Sequence, residues 1–233
     1  MKELTKKILC AFRPNKIKIN GYTLYLHSGF ESISLNFYRR RDHNFEGLET
    51  YEADHVKLCK EIIKKGDVVI DIGANIGYYS VLFSKLVGRK GRVYAFEPLP
   101  KNFSLLLKNL KVNNCSNVSA FNCAVSSTNG IATFRYNKRY LGGGSLSYKE
   151  EHTDSFEVMT IKLDDFIKKA DFVKMDIEGH EPEALKGMKN LRFDHLIIEM
   201  THLKPEQIRE INNKLKSPPV PLSSEDYYYN IKG

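Results

Sequence analysis

Val68-Val-Ile-Asp-Ile-Gly-Ala-Asn-Ile-Gly-Tyr-Tyr-Ser80 is the stretch that decides the fold of this chain. Its start, Val68 to Asp71, is mostly apolar and β-branched, which favours a strand buried on both faces of a sheet. A helix-compatible segment begins at Tyr78, and between the two stand the closely spaced Gly73, Asn75 and Gly77. A strand that ends in glycines and turns directly into a helix forms a crevice at the carboxyl edge of a parallel sheet. We therefore expect a nucleotide-like cofactor at this turn.

The glycine spacing discriminates between nucleotide classes. A dinucleotide fingerprint reads Gly-x-Gly-x-x-Gly and places a pyrophosphate on the helix N-terminus. Here two glycines stand four positions apart after an acidic residue, Asp71, and no Gly-x-x-x-x-Gly-Lys-Ser/Thr phosphate loop occurs. An acid at the strand tip repels a pyrophosphate and suits the cationic amino-acid end of a ligand. S-adenosylmethionine carries such an end, and the pattern favours it.

A second acidic residue, Glu97, ends the next predicted strand, which begins at Arg92. A carboxylate there can accept hydrogen bonds from both ribose hydroxyls, the role of an acid about 20 residues on in dinucleotide folds. The alternative is that Asp71 only caps the following turn and that Glu97 is a solvated strand end. We favour the ligand interpretation because both acids lie at strand tips with the glycines between them.

The composition indicates a folded protein of one domain with an extension, because 42% of the 233 residues are hydrophobic and 27% are charged. The sequence contains no run of 18 apolar residues, so we expect no membrane-spanning helix. The apolar part of the N-terminus is too short for a secretory signal. No Cys-x-x-Cys pair occurs, so we expect reduced, mostly buried thiols at Cys10, Cys59, Cys115 and Cys123. These features together predict a cytoplasmic protein.

The net charge of +8 could indicate a nucleic-acid partner. The lysines are dispersed, however, and the densest basic run is only Arg39-Arg40-Arg41. A solvated loop explains this run better than a phosphate-binding track does. A charged or phosphorylated substrate stays open.

Strands alternating with helices predict an α/β fold with a doubly wound, mostly parallel sheet. The predicted core strands are 68–71, 92–97, 118–125, 172–177 and 195–200, and the helices are 51–65, 78–87, 103–112, 182–191 and 205–215. A final strand over 226–230, after a Pro-rich break, is expected to pair antiparallel at the edge of the sheet. Alternation around Asn20-Gly21 predicts a hairpin over residues 17–27. We therefore divide the chain into a small N-terminal β cap, 1–50, and a main domain, 51–233.

An insertion replaces the crossover helix expected after residue 125. Residues 131–136 and 156–161 alternate like strands, and Gly142-Gly143-Gly144 lies between them. The glycine run is either a flexible lid over the cofactor or an idle surface loop, since lids and ordinary connections both favour glycine.

Four blocks of the sequence resemble the FkbM-type methyltransferases: Asp71–Ser80, Phe96–Pro98, Asn122–Ser126 and Lys174–Glu181 with Leu185–Gly187. Those enzymes use S-adenosylmethionine and typically O-methylate hydroxyls of sugars or polyketides. The first block is shared by many class I methyltransferases, whereas Lys-Met-Asp-Ile-Glu-Gly makes the resemblance specific. It extends over about residues 52–199 and implies a Rossmann-like class I methyltransferase domain. The tail ends in a shorter hairpin than the family generally has.

The resemblance implies a cofactor-binding set of Asp71, Gly73, Ala74, Asn75, Gly77, Tyr78, Glu97, Pro98, Asn122, Cys123, Ala124 and Asp176. In this set the glycine turn lines the methionine end of the cofactor. Glu97 holds the ribose, and residues 122–124 flank the adenine. Asp176 stands at the fourth strand tip and faces the transferring methyl group.

Methyl transfer requires an acceptor oxygen aligned behind the methyl group and a residue that takes its proton. The proton acceptors near the crevice are Asp176, Glu178, His180, Glu181, Glu199 and His202. We take the catalytic set as Asp176, His180 and Glu199, with Asp176 as base or orienter and His180 next because imidazole titrates near neutrality. The alternatives are that Glu178 and Glu181 serve only the start of the following helix and that His202 is a surface residue.

The sequence leaves three alternatives beside metal-free O-methylation of a small-molecule, lipid or glycan acceptor: a metal site, a nucleic-acid substrate and a module without catalytic activity. Asp176, Glu178 and Glu199 could gather Mg²⁺, but without a recognisable ligand spacing we predict no metal. A nucleic-acid methyltransferase is expected to carry Asn/Asp-Pro-Pro-Tyr/Phe where this chain has Asp176-Ile-Glu-Gly179, which makes nucleic acid an improbable substrate. A non-catalytic cofactor-binding module is the third alternative.

Overall fold

The computed structural model describes residues 16–27, 52–137, 140–147 and 154–232. The Arg39–Arg41 run and Cys10 lie outside these ranges, as does most of the expected N-terminal cap. The strands are β1 (Lys16–Ile19), β2 (Tyr22–Tyr25), β3 (Val68–Ile72), β4 (Arg92–Phe96), β5 (Val118–Phe121), β6 (Ala124–Val125), β7 (Gly130–Asn137), β8 (Tyr140–Ser145), β9 (Asp154–Ile161), β10 (Lys169–Met175), β11 (Arg192–Glu199), β12 (Val220–Pro221) and β13 (Asp226–Asn230). The helices are α1 (Ala53–Ile62), α2 (Tyr78–Val87), α3 (Pro100–Val112), α4 (Glu181–Lys186) and α5 (Pro205–Leu215), with a 3₁₀ turn at Leu163–Asp165.

The central sheet has seven strands in the order β12-β13-β11-β10-β3-β4-β5. The five strands from β11 to β5 run parallel, and Ile72 of β3 pairs with both Met175 and Phe96 in neighbouring strands. The predicted α/β fold is confirmed. Because the carboxyl ends of β3, β4 and β10 are in register, the residues that follow each strand converge at one edge of the sheet.

Helices cover both faces of this sheet. Helices α1, α2 and α3 and the β1–β2 hairpin contribute buried side chains to one face, where Val69 of β3 points. Helices α4 and α5 pack on the other face, where Ile70 and Ile72 point. This arrangement explains why β3 lacks the alternation of a strand with one solvent-exposed face.

The final strand pairs as predicted, but it is not at the edge. Strand β13 runs antiparallel to β11, and the two-residue strand β12 pairs with its outer side. The Pro-rich segment was expected only to break the chain. The prediction missed β12 because two residues are too few to give a periodic signal.

Several predicted elements have different bounds in the structure, and three of these differences have an identifiable cause. The strand expected over 118–125 is two strands, because the Asn122 amide donates to the carbonyl oxygens of Glu97 and Pro98 and the chain turns there. The helix expected over 182–191 ends at Lys186, and a β-carbon on the next residue, Gly187, would overlap the carbonyl oxygen of Ser126. Helix α3 begins at Pro100 instead of residue 103, since proline fits the first helical turn.

The insertion forms a second sheet of four strands in the order β6-β9-β7-β8. The glycine run lies inside strand β8, so neither expectation, a flexible lid or an idle loop, describes it. A β-carbon on Gly144 would lie 2.6 Å from the Phe134 ring. The glycine therefore lets the β8 backbone pack directly on an aromatic ring of β7.

The β1–β2 hairpin is confirmed, with positive φ at Asn20 and Gly21, as a tight primed turn requires. Asn109 of α3 and Asn113, which follows the helix directly, hold β2 through its backbone. Asn109 accepts from the Tyr25 amide at 2.6 Å, and Asn113 accepts from the Thr23 amide at 3.0 Å. The hairpin is thereby fixed to the main domain.

The described cysteines are buried and free, as expected: Cys59, Cys115 and Cys123. Within the described ranges, no helix combines the length and apolar character needed to cross a bilayer.

Candidate functional site

A cleft of about 230 Å³ opens at the carboxyl edge of the central sheet. Its floor is the set of loops after β3, β4, β10 and β11, and one wall is strand β8 of the small sheet. The predicted site residues that line it are Gly73, Asn75, Glu97, Pro98, Cys123, Ala124, Asp176, His180 and Glu199. The structure therefore brings nine predicted residues to one cavity.

A smaller pocket of about 60 Å³ adjoins the cleft and shares Gly73, Asn75, Lys174 and Asp176 with it. Three further predicted residues line this pocket: Asp71, Ala74 and Tyr78. The two remaining predicted residues, Gly77 and Asn122, line neither cavity. Gly77 caps the start of α2, and the Asn122 side chain donates to the backbone carbonyl oxygen of Glu97.

The glycines of the β3 turn serve packing as well as ligand access. A β-carbon on Gly73 would overlap the Asp176 carbonyl oxygen, and one on Gly77 would lie 2.6 Å from Leu106 Cδ1. Both glycines also have positive φ, as does Asn75. Missing side chains were expected to make room for a ligand. In the structure, the absence of these side chains also allows the turn to pack closely against β10 and α3.

Asp71 is fully buried and holds the turn from beneath. Its Oδ2 accepts from the Ser80 hydroxyl at 2.6 Å, while its Oδ1 has no hydrogen-bond partner among the described residues. Burial raises the pKa of this carboxyl above its ordinary value, against the opposing effect of Lys174. Asp71 is thus placed to give the smaller pocket a negative potential, the electrostatic character that a cationic ligand end requires.

Glu97 is buried at the wall of the cleft. Its two oxygens accept from the backbone amides of Asn75 at 2.8 Å and Leu99 at 2.9 Å. Burial raises its pKa to about 7, although these amides favour the charged form. Each carboxylate oxygen retains a further lone pair, so Glu97 can still accept from ligand hydroxyls.

Lys174 is a site residue that the predictions missed. Its ammonium donates to Asp176 Oδ2 at 3.0 Å and lies 4.9 Å from the centre of the Tyr79 ring, with the side chain only 7% exposed. Burial alone would lower the pKa of this lysine, but the carboxylates of Asp176 and Asp71 raise it above its ordinary value. A charged residue inside the otherwise apolar stretch 172–175 was the signal that could have revealed it.

His180 is held between two serines from different parts of the chain. Its Nε2 lies 3.0 Å from the Ser126 hydroxyl and its Nδ1 lies 2.9 Å from the Ser147 hydroxyl. Burial lowers its pKa, which favours the neutral ring. Both nitrogens are engaged, so the ring links the loop after β8 to the loop after β10. This geometry suits positioning better than proton abstraction.

Three carboxylates near the carboxyl ends of β10 and β11 have raised pKa values. Burial is the largest cause for each, and repulsion from neighbouring acids adds to it, although backbone amides oppose the shift at Glu181. The pKa values are about 9 for Glu178, about 8 for Glu181 and about 7 for Glu199. Glu181 accepts from the Ile177 amide at 3.0 Å and Glu199 from the Thr201 hydroxyl at 2.7 Å. The second oxygens of Glu181 and Glu199 have no partner among the described residues.

His202 is half exposed, as a surface residue would be, but its Nε2 lies 2.9 Å from Glu178 Oε2. The ligand atoms of Glu178, Glu199 and His202 lie within 4.8 Å of one another. These three residues could hold a metal ion, a set different from the Asp176–Glu178–Glu199 group considered from sequence.

A profile of the methyltransferase FkbM domain matches residues 71–227. Its match extends further toward the C-terminus than the 52–199 resemblance and includes the start of β13. The tail was expected to depart from the family. The profile places this part of it within the domain.

Individual proteins are similar to this chain over part of their length. The hexuronic acid methyltransferase AglP of Haloferax volcanii is 30% identical over 173 residues, 71% of this chain and 69% of that protein. Methyltransferase 1 of Beauveria bassiana is 24% identical over 58% of this chain and 65% of its own length. The crystal structure of methyltransferase FkbM from Methylobacillus flagellatus has a TM-score of 0.50 at 20% identity, over 70% of this chain and 43% of that chain.

Proposed function

The chain belongs to the FkbM methyltransferase family, and on this premise we propose that it transfers a methyl group from S-adenosylmethionine to a hydroxyl of a sugar or other small acceptor. The observation that carries this proposal is the continuous cavity from Glu97 to Glu199. One end offers a ribose acceptor, and the other offers carboxylates suited to an acceptor hydroxyl.

The residues present fit S-adenosylmethionine. Glu97 offers a buried carboxylate to the ribose, and Cys123 and Ala124 form part of an apolar wall for the adenine. The adjoining pocket is lined by Lys174 and by the acids Glu52, Asp71 and Asp176, so it offers a cation to the carboxylate and anions to the ammonium of the zwitterionic methionine end. When bound, the cofactor supplies an electrophilic methyl group.

The protein's own contribution is to orient the acceptor and remove its proton. Asp176 lines both cavities and is fixed by Lys174, so we assign it the role of orienting the acceptor hydroxyl. Glu199 lines the cleft with a pKa raised to about 7, which is suited to accepting a proton near neutral pH. Asp176 was the first choice as base or orienter, and the Lys174 ion pair favours the second role.

The acceptor class rests on two supports. The relative from Haloferax volcanii is named as a hexuronic acid methyltransferase, which favours a sugar acceptor. The cleft is also walled by β8, and a cleft of about 230 Å³ fits a small molecule or the end of a glycan better than a duplex.

Cofactor titration followed by methyl release tests the proposal. We expect calorimetry to show one binding site for S-adenosylmethionine. In an activity assay with a panel of glycans, lipids and RNA, we expect the methyl group to be transferred to a glycan. Glu199→Gln should lower turnover with cofactor affinity unchanged, while Glu206→Gln on exposed α5 is the matched control. Binding without turnover on every acceptor favours a non-catalytic module. Salt-sensitive RNA methylation favours a nucleic-acid enzyme.

A further inference from the structure

The charge of the cleft is strongly one-sided. Among the described residues that line it, Lys174 is the single lysine or arginine, whereas seven are carboxylic acids: Glu52, Glu97, Asp176, Glu178, Glu199, Glu225 and Asp226. Lys174 is already paired with Asp176. The end of the cleft beyond Asp176 therefore presents acids without a lysine or arginine to balance them.

This acidic end is built from three strand ends. Glu178 follows β10, Glu199 ends β11, and Glu225 and Asp226 lie at the start of β13. Asp226 already has partners, because its Oδ2 lies 3.2 Å from Nε2 of His55 in α1 and accepts from the Ser223 hydroxyl at 2.9 Å. Glu178 and Glu199 are the acids that face the cavity close to each other, with His202 beside them.

A fully buried carboxyl lies behind them. Glu181 is 0% exposed, and its Oε1 accepts from the amide of Ile177, between the cleft residues Asp176 and Glu178. Its Oε2 has no partner in the described part of the chain, nor has Glu199 Oε2. Buried polar atoms of this kind are normally satisfied. Glu199 lines the cleft, so its second oxygen is available to a donor on a ligand there, whereas Glu181 does not line it.

We propose that this acidic end recognises a protonated amine on the acceptor, so that the acceptor is an amino sugar and not a uronic acid. The proposal rests on the proposed methyl transfer and adds the substrate class. An ammonium offers three donors and a positive charge to Glu178 and Glu199. An acceptor carboxylate would instead add a negative charge beside acids whose pKa values burial and repulsion already raise, which is unfavourable.

The structure favours an amine over a divalent metal ion at the same place. Hard cations such as Mg²⁺ and Ca²⁺ prefer oxygen ligands, whereas the third ligand atom available here is a nitrogen of His202, whose side chain is 53% exposed. An ammonium requires only hydrogen-bond acceptors. A divalent metal ion is the competing occupant of this position, and a metal-binding measurement distinguishes it from an amine.

Three matched glycosides that differ only at carbon 6 test the proposal: methyl 6-amino-6-deoxyglucoside, methyl glucoside and methyl glucuronoside. Methyl 2-amino-2-deoxyglucoside is added to move the amine to a second ring position. We expect the better aminoglycoside to have a kcat/KM at least about tenfold above the neutral glycoside, and a larger advantage over the uronoside. Glu178→Gln should abolish the preference, and Glu206→Gln on α5 should retain it.

Several results overturn the inference. They are a uronoside equal to or better than the aminoglycosides, no transfer to either aminoglycoside, or a preference that survives Glu178→Gln. Micromolar Mn²⁺ binding by the wild-type protein that is lost in Glu178→Gln would assign the acids to a metal. Cofactor calorimetry distinguishes failure of the amine inference from failure of the proposed methyl transfer. If the protein binds S-adenosylmethionine and methylates only acceptors without an amine, the amine inference alone is wrong.

Discussion

A β-carbon on Gly73 would overlap the carbonyl oxygen of Asp176. The turn after β3 and the end of β10 are thus in backbone contact, and the amide of Asp176 donates to the Ile72 carbonyl oxygen at 3.1 Å. The two loops that carry the cofactor turn and the first catalytic candidate are therefore one rigid unit. Any side chain at residue 73 must separate them.

Gly73→Ala should destabilise the protein by about 2–4 kcal/mol, because it combines positive φ with a backbone clash. Gly66→Ala is the matched control: Gly66 also has positive φ, but nothing lies within 4 Å of an added β-carbon. It should cost only about 1 kcal/mol. Urea unfolding of both variants measures the difference, and equal losses would show that the clash is relieved.

Lys174→Met should destabilise the protein by about 3 kcal/mol or more, because it leaves the buried Asp71 without its cation and breaks the pair with Asp176. The double variant Lys174→Met/Asp176→Asn should recover part of the loss. A double-mutant cycle by urea unfolding measures the coupling. Strictly additive effects would mean that the 3.0 Å pair contributes nothing to stability.

Much of the fold could be predicted from periodicity and turn chemistry. The apolar run at Val68, the Asn20-Gly21 turn and the proline at the start of α5 each act within a few residues, so the sequence carries their signal directly. Two of the errors share a cause. Where the 118–125 strand divides and where α4 stops depend on contacts with residues far along the chain, at Glu97 and Ser126.

The candidate site shows the same division. Acids at strand tips were predictable because parallel strands bring their carboxyl ends together. The environment of each acid was not, since the raised pKa values of Glu178 and Glu199 come from burial and mutual repulsion in the folded protein. His180 was chosen for its chemistry, whereas its role follows from the serines that flank it in space.

His180→Phe tests whether this ring positions the cleft or acts as a base. As a positioning residue it holds Ser147 after β8, so the variant should speed amide exchange in residues 140–147 and raise KM by about tenfold or less, with kcat within about threefold. Ser147→Ala should reproduce the KM change. A loss of kcat by more than about a hundredfold, with the acidic limb of the pH–rate profile gone, would assign His180 as the base.

The free protein should lose stability as the pH rises from about 5 to 9. The pKa values of Glu97, Glu178, Glu181 and Glu199 are raised to between about 7 and 9 by burial. Groups whose pKa is raised on folding stabilise the folded state while protonated, and this contribution is lost as the pH passes through the folded pKa. Thermal unfolding across this range should show a falling Tm, and Glu181→Gln should flatten the fall between about pH 5 and 8.

Glu97→Ala should weaken S-adenosylmethionine binding by more than about tenfold, because the ribose hydroxyls lose a charged acceptor. It also frees the amides of Asn75 and Leu99, so part of the effect could come from a disordered turn. Glu97→Gln separates the two causes, since one amide oxygen can still accept from the backbone while the negative charge is absent. Calorimetry measures the cofactor affinity of both variants, and the melting temperature shows whether the turn has been destabilised. Unchanged affinity in Glu97→Ala would remove Glu97 from the cofactor site.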